Sequence, residues 1–552
     1  MSAVPGDRDR VGRAASVMAL GTVLSRATGF IRAAVIAATL GLALTADMFA
    51  VADAIPAALY AIVAGGVLNA VLVPQIVRAM GRDADGGQAY TQRLASAVLL
   101  VLGVATAVLV LAAPWVIRLY TGSAYQDPAL APQLDTIVYF ARFMLLEVFF
   151  YGLYTLLGQV LNARGRFGPM MFAPILNNVI AIAVFGGFLL VMGPLDPDAG
   201  TFTRAEATWF ALGSTLGIAA QALVLLPVLH RTGLRLRLRT DLRGVGLGTA
   251  FRLASWTLVL IAILQATQLI VVRLATSATA STVVADVDRA SGLAVYNSAF
   301  LIIMVPHSII TVSLATAMLP GLSRDAAAGR LDVLRERVSA ALRSALAVIV
   351  PFAALLVALA APVARVLFGY GAASDDVDLV AVTIAAFVPG LIGFTVTFMV
   401  QRAFNAQEDT RTPALVQAVI ATVQIGLAVV AIPRVDPVYV SPVLAGSWST
   451  ALLAGAVVTS LLIGHRIGSI GGARLIGYLC VVVLAAAPGA LAVHYLAQQT
   501  QAQWEGSAVL GVVVLAAGTA VAAGCYVVAA WLLRVEPVRW LVARGRVALL
   551  RR

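Results

Sequence analysis

Arg26 and Arg32 are the only charges between Arg13 and Asp47, inside the first long apolar stretch of the chain. A guanidinium in mid-membrane costs roughly 2.5–3.5 kcal/mol on insertion scales, so such a residue normally faces a protein interior or a water-filled cavity. The series Arg26, Gly29, Arg32 steps by three, which holds all three positions on one side of a helix. Gly29 leaves room between the two cations for a bulky group. With helix entry near Val17, the arginines lie roughly 14 and 22 Å deep in a core of about 30 Å. The chemistry expected is capture of an anionic headgroup. The competing expectation is an ion pair with Asp47, Asp53 or Glu147.

Asp47 and Asp53 repeat the six-residue spacing at the start of the second stretch, and Glu147 interrupts the run Met144–Phe150 of the fourth. These acids are candidates for gating the outer mouth, for pairing with the arginines or for carrying protons; Asp47 is also placed to cap a helix. Asn177, Asn178, Gln265, Gln268 and Asn297 read as hydrogen-bonding glue between helices. Asp375, Asp376 and Asp378 resemble a divalent-cation cluster but suit an acidic helix start better. His307, His465 and His494 are isolated. No nucleophile–base or metal-ligand constellation is visible, and no enzyme is expected.

Composition sets the frame for these residues. The chain has 552 residues, 61% hydrophobic and 12% charged, and its mean hydropathy is +0.95. That defines an all-α polytopic membrane protein. All 38 basic residues are arginine, which removes any P-loop or Schiff-base lysine. The net charge of +12 is scattered over short loops with no interleaved aromatics, so no nucleic-acid partner is expected. Cys480 and Cys525 both lie in apolar spans and imply neither disulfide nor metal. No cofactor is expected, and without an ATP-binding motif the energy source is the membrane potential or an ion gradient.

Apolar stretches from 14–41 through 507–533 give about 14 transmembrane helices. The second, at 47–80, is expected to kink at Pro56 and Gly65-Gly66. With the N-terminus inside, most arginines fall on inner segments and few near outer ends, which places both termini in the cytoplasm. The chain also repeats itself at a spacing of roughly 245 residues. Leu72-Val73-Pro74 with Arg78 returns as Met318-Leu319-Pro320 with Arg324. Ala112-Ala113-Pro114 returns as Ala360-Ala361-Pro362, and Asn162-Ala163 before Pro169 as Asn405-Ala406 before Pro413. Six helices per repeat give two lobes related by an axis along the membrane normal. The expected organisation is a tail 1–13, an N-lobe 14–240, a C-lobe 247–465, two further helices in 474–533 and a basic tail 534–552. The same spacing carries Arg26 onto Arg273 in helix 7, a pseudo-symmetric candidate for the substrate site.

Gly21-Thr22-Val23-Leu24-Ser25-Arg26-Ala27-Thr28-Gly29-Phe30-Ile31-Arg32, then Ala46-Asp47-Met48-Phe49, Ile55-Pro56, Gly65-Gly66-Val67-Leu68 and Val73-Pro74 resemble the MurJ (MviN) lipid II flippases. Asn162, Arg166-Phe167, Ala173-Pro174, Pro306, Leu319-Pro320 and Asp409-Thr410-Arg411-Thr412-Pro413 continue the resemblance in order. It implies the fold of the multidrug/oligosaccharidyl-lipid/polysaccharide (MOP) transporter superfamily in a bacterial plasma membrane. It also implies that an undecaprenyl-pyrophosphate-linked peptidoglycan precursor moves from inner to outer leaflet by alternating access. A cell-wall synthesis complex is a possible partner. The chain departs from the family pattern at Tyr60-Ala61 and Gly65, at Leu146-Glu147 and at Phe300-Leu301-Ile302, which makes it less cationic than usual. The alternatives are a flippase for another polyprenyl-linked glycan and a drug/cation antiporter of the same fold, which would favour the acids over the arginines.

Overall fold

The computed structural model describes residues 5–62, 69–196, 200–234, 237, 239–241, 255–285, 287, 289–505 and 507–539. The glycine pair expected to bend the second helix, the start of the seventh and the end of the basic tail lie outside the described residues. Among those residues the chain is helical and contains no strand, and 14 helices are long and apolar enough to cross a membrane. They divide between two compact units.

The first unit holds spans 1–7: Leu20–Leu40, Leu44–Ile62, Gln88–Leu111, Pro128–Ala163, Gly168–Met192, Arg204–His230 and Ser255–Val284. The repeat assigns the seventh span to the second half, whereas its packing puts it in the first unit, against span 2. Span 2 runs unbroken through Pro56. At the centre of this unit Phe49, Phe140, Phe185, Phe202 and Phe210 from spans 2, 4, 5 and 6 and the loop before span 6 meet edge-on or stacked, with ring centroids 4.8–6.0 Å apart. Such pairs add about 0.5–1.5 kcal/mol each beyond area burial.

The second unit holds spans 8–14: Leu293–Ala327, Leu331–Ala358, Val377–Ala406, Arg411–Arg434, Pro437–Ile467, Gly472–Gln499 and Ala508–Leu532. Spans 10 and 12 form a close seam. A Cβ added to Gly390 would stand 2.5 Å from Trp448, and one on Gly393 2.7 Å from the Leu452 backbone. Small residues at such a seam allow the backbones to approach where lipid supplies no hydrophobic driving force. Phe300, in the region where the sequence departs from its family, joins Phe387 and Trp448 in an aromatic cluster.

The repeat survives as local geometry. Span 3 ends at Leu111 and a short helix, Ala113–Tyr120, follows; span 9 ends at Ala358 and Ala360–Phe368 follows. Pro114 and Pro362 have no N–H to continue the ladder. Spans 4 and 10 close with one motif. The Arg166 N–H reaches the Leu161 carbonyl across Gly165 at φ 74°, and the Asp409 N–H reaches the Phe404 carbonyl across Glu408 at φ 60°.

Candidate anion-binding site

Span 1 is held by span 5. The Asn178 side-chain amide donates to the Ser25 carbonyl and to the Thr28 hydroxyl, both at 3.0 Å. A Cβ on Gly29 would meet that amide at 3.7 Å, and one on Gly21 would meet Met171 and Phe172 at 3.1 Å. Gly29 thus lies beside Asn178 of span 5, where an added Cβ would make only ordinary contact. The seam of Gly21, Ser25, Thr28 and Gly29 fixes which way the helix turns its arginines. Asn178 is the glue that its sequence context suggests, and it grips span 1 at the backbone just before Arg26 and at the Thr28 side chain just after it.

Arg26 and Arg32 lie about 9 Å apart along the helix axis. Arg26 is exposed and makes no ion pair or hydrogen bond among the described residues. Arg32 is half-buried and within electrostatic reach of Asp53 on span 2 and Glu147 on span 4, with no contact as close as an ion pair. The two carboxyls also sense each other. Of the six residues singled out in the sequence, these three converge.

Glu147 is 1% exposed, and it does not sit in mid-helix as its sequence context suggests. Span 4 breaks at Leu145-Leu146, and Glu147 opens the helix Glu147–Ala163. The positive end of that helix offsets part of the cost of a carboxylate there. The Ser214 hydroxyl of span 6 hydrogen-bonds the carboxyl, while Oε1 has no hydrogen-bond partner. Tyr151, one turn on, lies within reach of Glu147, Asp53 and Arg32 and stacks on Tyr60 at 4.6 Å. The Tyr60 hydroxyl hydrogen-bonds Thr155. Tyr151 and Ser214 carried no signal in the sequence: a tyrosine in an aromatic run and a serine in an apolar helix look like packing.

Asp47 stands apart from this cluster. It lies in the first turn of span 2, fully buried, and accepts a 2.7 Å bond from the Thr279 hydroxyl of span 7. Arg273, on the same span, donates to the Arg118 and Leu119 carbonyls at 3.3 and 3.0 Å, capping the short helix after span 3. Gln265 donates to the Ala58 carbonyl and joins spans 7 and 2. In the second unit the acidic run is neutralised by arginine. Arg289 binds the carboxyls of Asp376 and Asp378 at 3.0 and 2.8 Å. Burial raises the Asp376 carboxyl above its ordinary range against the pull of that guanidinium. Among the described residues no group of three His, Cys, Asp or Glu could hold a metal ion.

Fourteen helices long and apolar enough to cross a membrane, with a charge cluster inside the first unit, define a polytopic membrane transporter, and solved structures agree on the fold. The chain is similar to a lipid II flippase MurJ in an inward closed conformation, with TM-score 0.66, 16% identity and coverage of 91% of this chain and 98% of that one. It is also similar to an inward-facing multidrug-resistance MATE transporter of the MOP superfamily, with TM-score 0.63, 16% identity and coverage of 80% and 95%. The model of the lipid II flippase MurJ family matches residues 36–515, and the chain belongs to that family. Curated relatives include a probable lipid II flippase MurJ of Rhizobium meliloti, 26% identical over 79% of this chain and 78% of its own length. The lipid II flippase MurJ of Burkholderia cenocepacia is 27% identical over 80% and 81%. Arg26 and Arg32 precede the matched residues, so their role rests on pattern and geometry.

Proposed function

We propose that this chain is a lipid II flippase whose span 1 arginines receive the pyrophosphate of the lipid-linked precursor. The observation that carries the reading is Arg26: a cation within an apolar span with no acidic partner among the described residues, on the same side of its helix as Arg32. A guanidinium fork binds phosphate oxygens in pairs, and a low-dielectric site strengthens the bond. Arg32 already lies within electrostatic reach of Asp53 and Glu147, so it acts by exchange. An arriving pyrophosphate draws the guanidinium from the carboxyls, and its departure restores them. The undecaprenyl tail stays in lipid while the headgroup crosses by alternating access. Both termini face the cytoplasm in this reading, as the arginine bias requires. The membrane potential drives the step, because an anionic headgroup moves outward down an inside-negative potential.

The test is transport by purified chain in sealed vesicles carrying lipid II on one leaflet. Wild-type chain should expose lipid II on the far leaflet under an applied potential, and Arg26→Ala should not, while remaining folded. Equal transport by Arg26→Ala and wild type ends the reading. A drug/cation antiporter would be marked instead by loss of function on neutralising Asp53 or Glu147 alone, with Arg26→Ala active.

A further inference from the structure

We infer that the second unit carries a separate binding site for a phosphate-bearing anion at the membrane surface, in a cavity of about 880 Å³ where spans 9 and 13 begin and span 14 ends. Its walls carry Arg335 and Arg343 from span 9, Arg474 from span 13 and Arg534 just after span 14, against Glu336 and Glu536. One cation is engaged: Arg343 approaches Glu536 at 4.0 Å, and its backbone carbonyl accepts from the Tyr478 hydroxyl. Arg335, Arg474 and Arg534 have no ion pair among the described residues. Arg335 and Arg474 on two helices and Arg534 in the turn after a third thus line one hollow without an ion pair among the described residues, with a tyrosine on its wall. The N-terminal turns of spans 9 and 13 add their positive ends.

The chain maintains this geometry at some cost. Arg534 sits at φ 61°, a conformation that L residues rarely adopt, and the turn it makes brings Val535 and Glu536 to the cavity. Gly468, at φ 84°, leaves the space into which Arg335 projects, since a Cβ there would stand 3.1 Å from Nη1. The sequence beyond continues the same charge: Arg539, Arg544, Arg546, Arg551 and Arg552 follow Glu536 with no acid among them. That tail adds cations and no counter-charge. Both would be satisfied by the same anions, and the ends of transmembrane helices stand at the depth of phospholipid headgroups. A phosphodiester presents two free oxygens to paired guanidiniums, and the cavity suits one such group. This site shares no residue with the Arg26–Arg32 region, and its test does not depend on transport.

Native mass spectrometry of the full chain, released from micelles doped with phosphatidylglycerol or phosphatidylcholine, reads the site directly. Thermal shift with inorganic phosphate or glycerol phosphate reads the soluble form of the same chemistry. Phosphatidylglycerol should be retained about tenfold more strongly than phosphatidylcholine, and Arg335→Ala/Arg474→Ala/Arg534→Ala should remove that preference. Glu336→Gln/Glu536→Gln should increase retention, a gain that misfolding cannot produce. Arg231→Ala/Arg237→Ala, taken from an exposed loop of the other unit, should change nothing. A stabilising shift with the soluble phosphates, abolished by the triple variant, would establish the site with a soluble ligand in place of a lipid. Retention that ignores headgroup charge, that survives in the triple variant without any phosphate-induced shift, or that falls equally in the loop control would overturn the inference.

Discussion

Arg26 and Arg32 are six residues apart and have different jobs, which their variants should separate. Arg26→Ala removes a cation that balances nothing, so the protein should fold and transport should fall at least about tenfold, a loss of roughly 1.4 kcal/mol or more in binding. Arg32→Ala also strands Asp53 and Glu147 without their cation. Its thermal stability in detergent should drop, by less than the roughly 3–5 kcal/mol that follows loss of one partner of a buried contact pair, because no ion-pair contact joins these side chains. Adding Asp53→Asn to Arg32→Ala should recover stability and leave transport dead; full recovery of both would make Arg32 a structural residue only. Lysine at position 26, in a chain that otherwise has none, should rescue in part, because it restores charge without the fork. The arginines were legible in the sequence because a charge in an apolar span is conspicuous. Their pairing was half legible: Asp47, Asp53 and Glu147 were equal candidates, and only packing separated the buried Asp47–Thr279 bond from the Asp53–Glu147 cluster.

At the level of elements, the spans follow from length and hydropathy, and so they could be read from the chain. The break in span 4 could not. Leu145-Leu146 has no Pro or Gly to announce it, and the irregular turn leads directly into the buried Glu147 beside Ser214. Conversely, Pro56 sits inside a helix that does not stop for it. The paired turns after spans 4 and 10 give two measurable expectations. Glu408 holds the left-handed position that Gly165 holds in the first half, so Glu408→Gly should stabilise by about 1 kcal/mol in thermal unfolding. Asp409, in the same turn, resists burial by accepting bonds from the Thr412 hydroxyl and backbone N–H and from Arg466, and its carboxyl is held below the ordinary range. A depressed carboxyl contributes stability above its unfolded value and loses it as pH falls through the folded one. Asp409→Asn should therefore destabilise by about 1–2 kcal/mol at pH 7, and the difference should vanish in acid below the carboxylate range.

For the whole molecule, topology and energetics are the quantities to check. With Cys480 and Cys525 replaced by serine, single cysteines at Ser123 and Asp436 should react with an impermeant thiol reagent from outside intact cells. Cysteines at Ala84, Arg166 and Ala328 should react only after permeabilisation. Mixed accessibility within either set would break the orientation inferred from arginine placement. The potential contributes about 2.3 kcal/mol per charge per 100 mV, so a doubly charged headgroup gains several kcal/mol in moving outward. Collapsing the potential at constant ATP should halt lipid II exposure, and exposure that continues without any gradient would remove the proposed driving force.

The short helices that follow spans 3 and 9 bear on where such a protein can work. Each span stops about 36–42 Å from its start and hands the chain to a separate segment, one carrying exposed Trp115 and the other followed by exposed Tyr370, aromatics typical of the interface. A joint at the same point of both halves lets these segments change angle as the hydrocarbon layer thins or thickens, while the long helices keep their seams. Hydrophobic mismatch, usually met by tilting a helix or deforming lipid, is expected to be taken up at the caps Ala112 and Leu359. Activity should stay nearly level across bilayers of graded acyl-chain length. Pro114→Ala/Pro362→Ala, which lets the ladder run through both joints, should confine it to a narrow range of thickness.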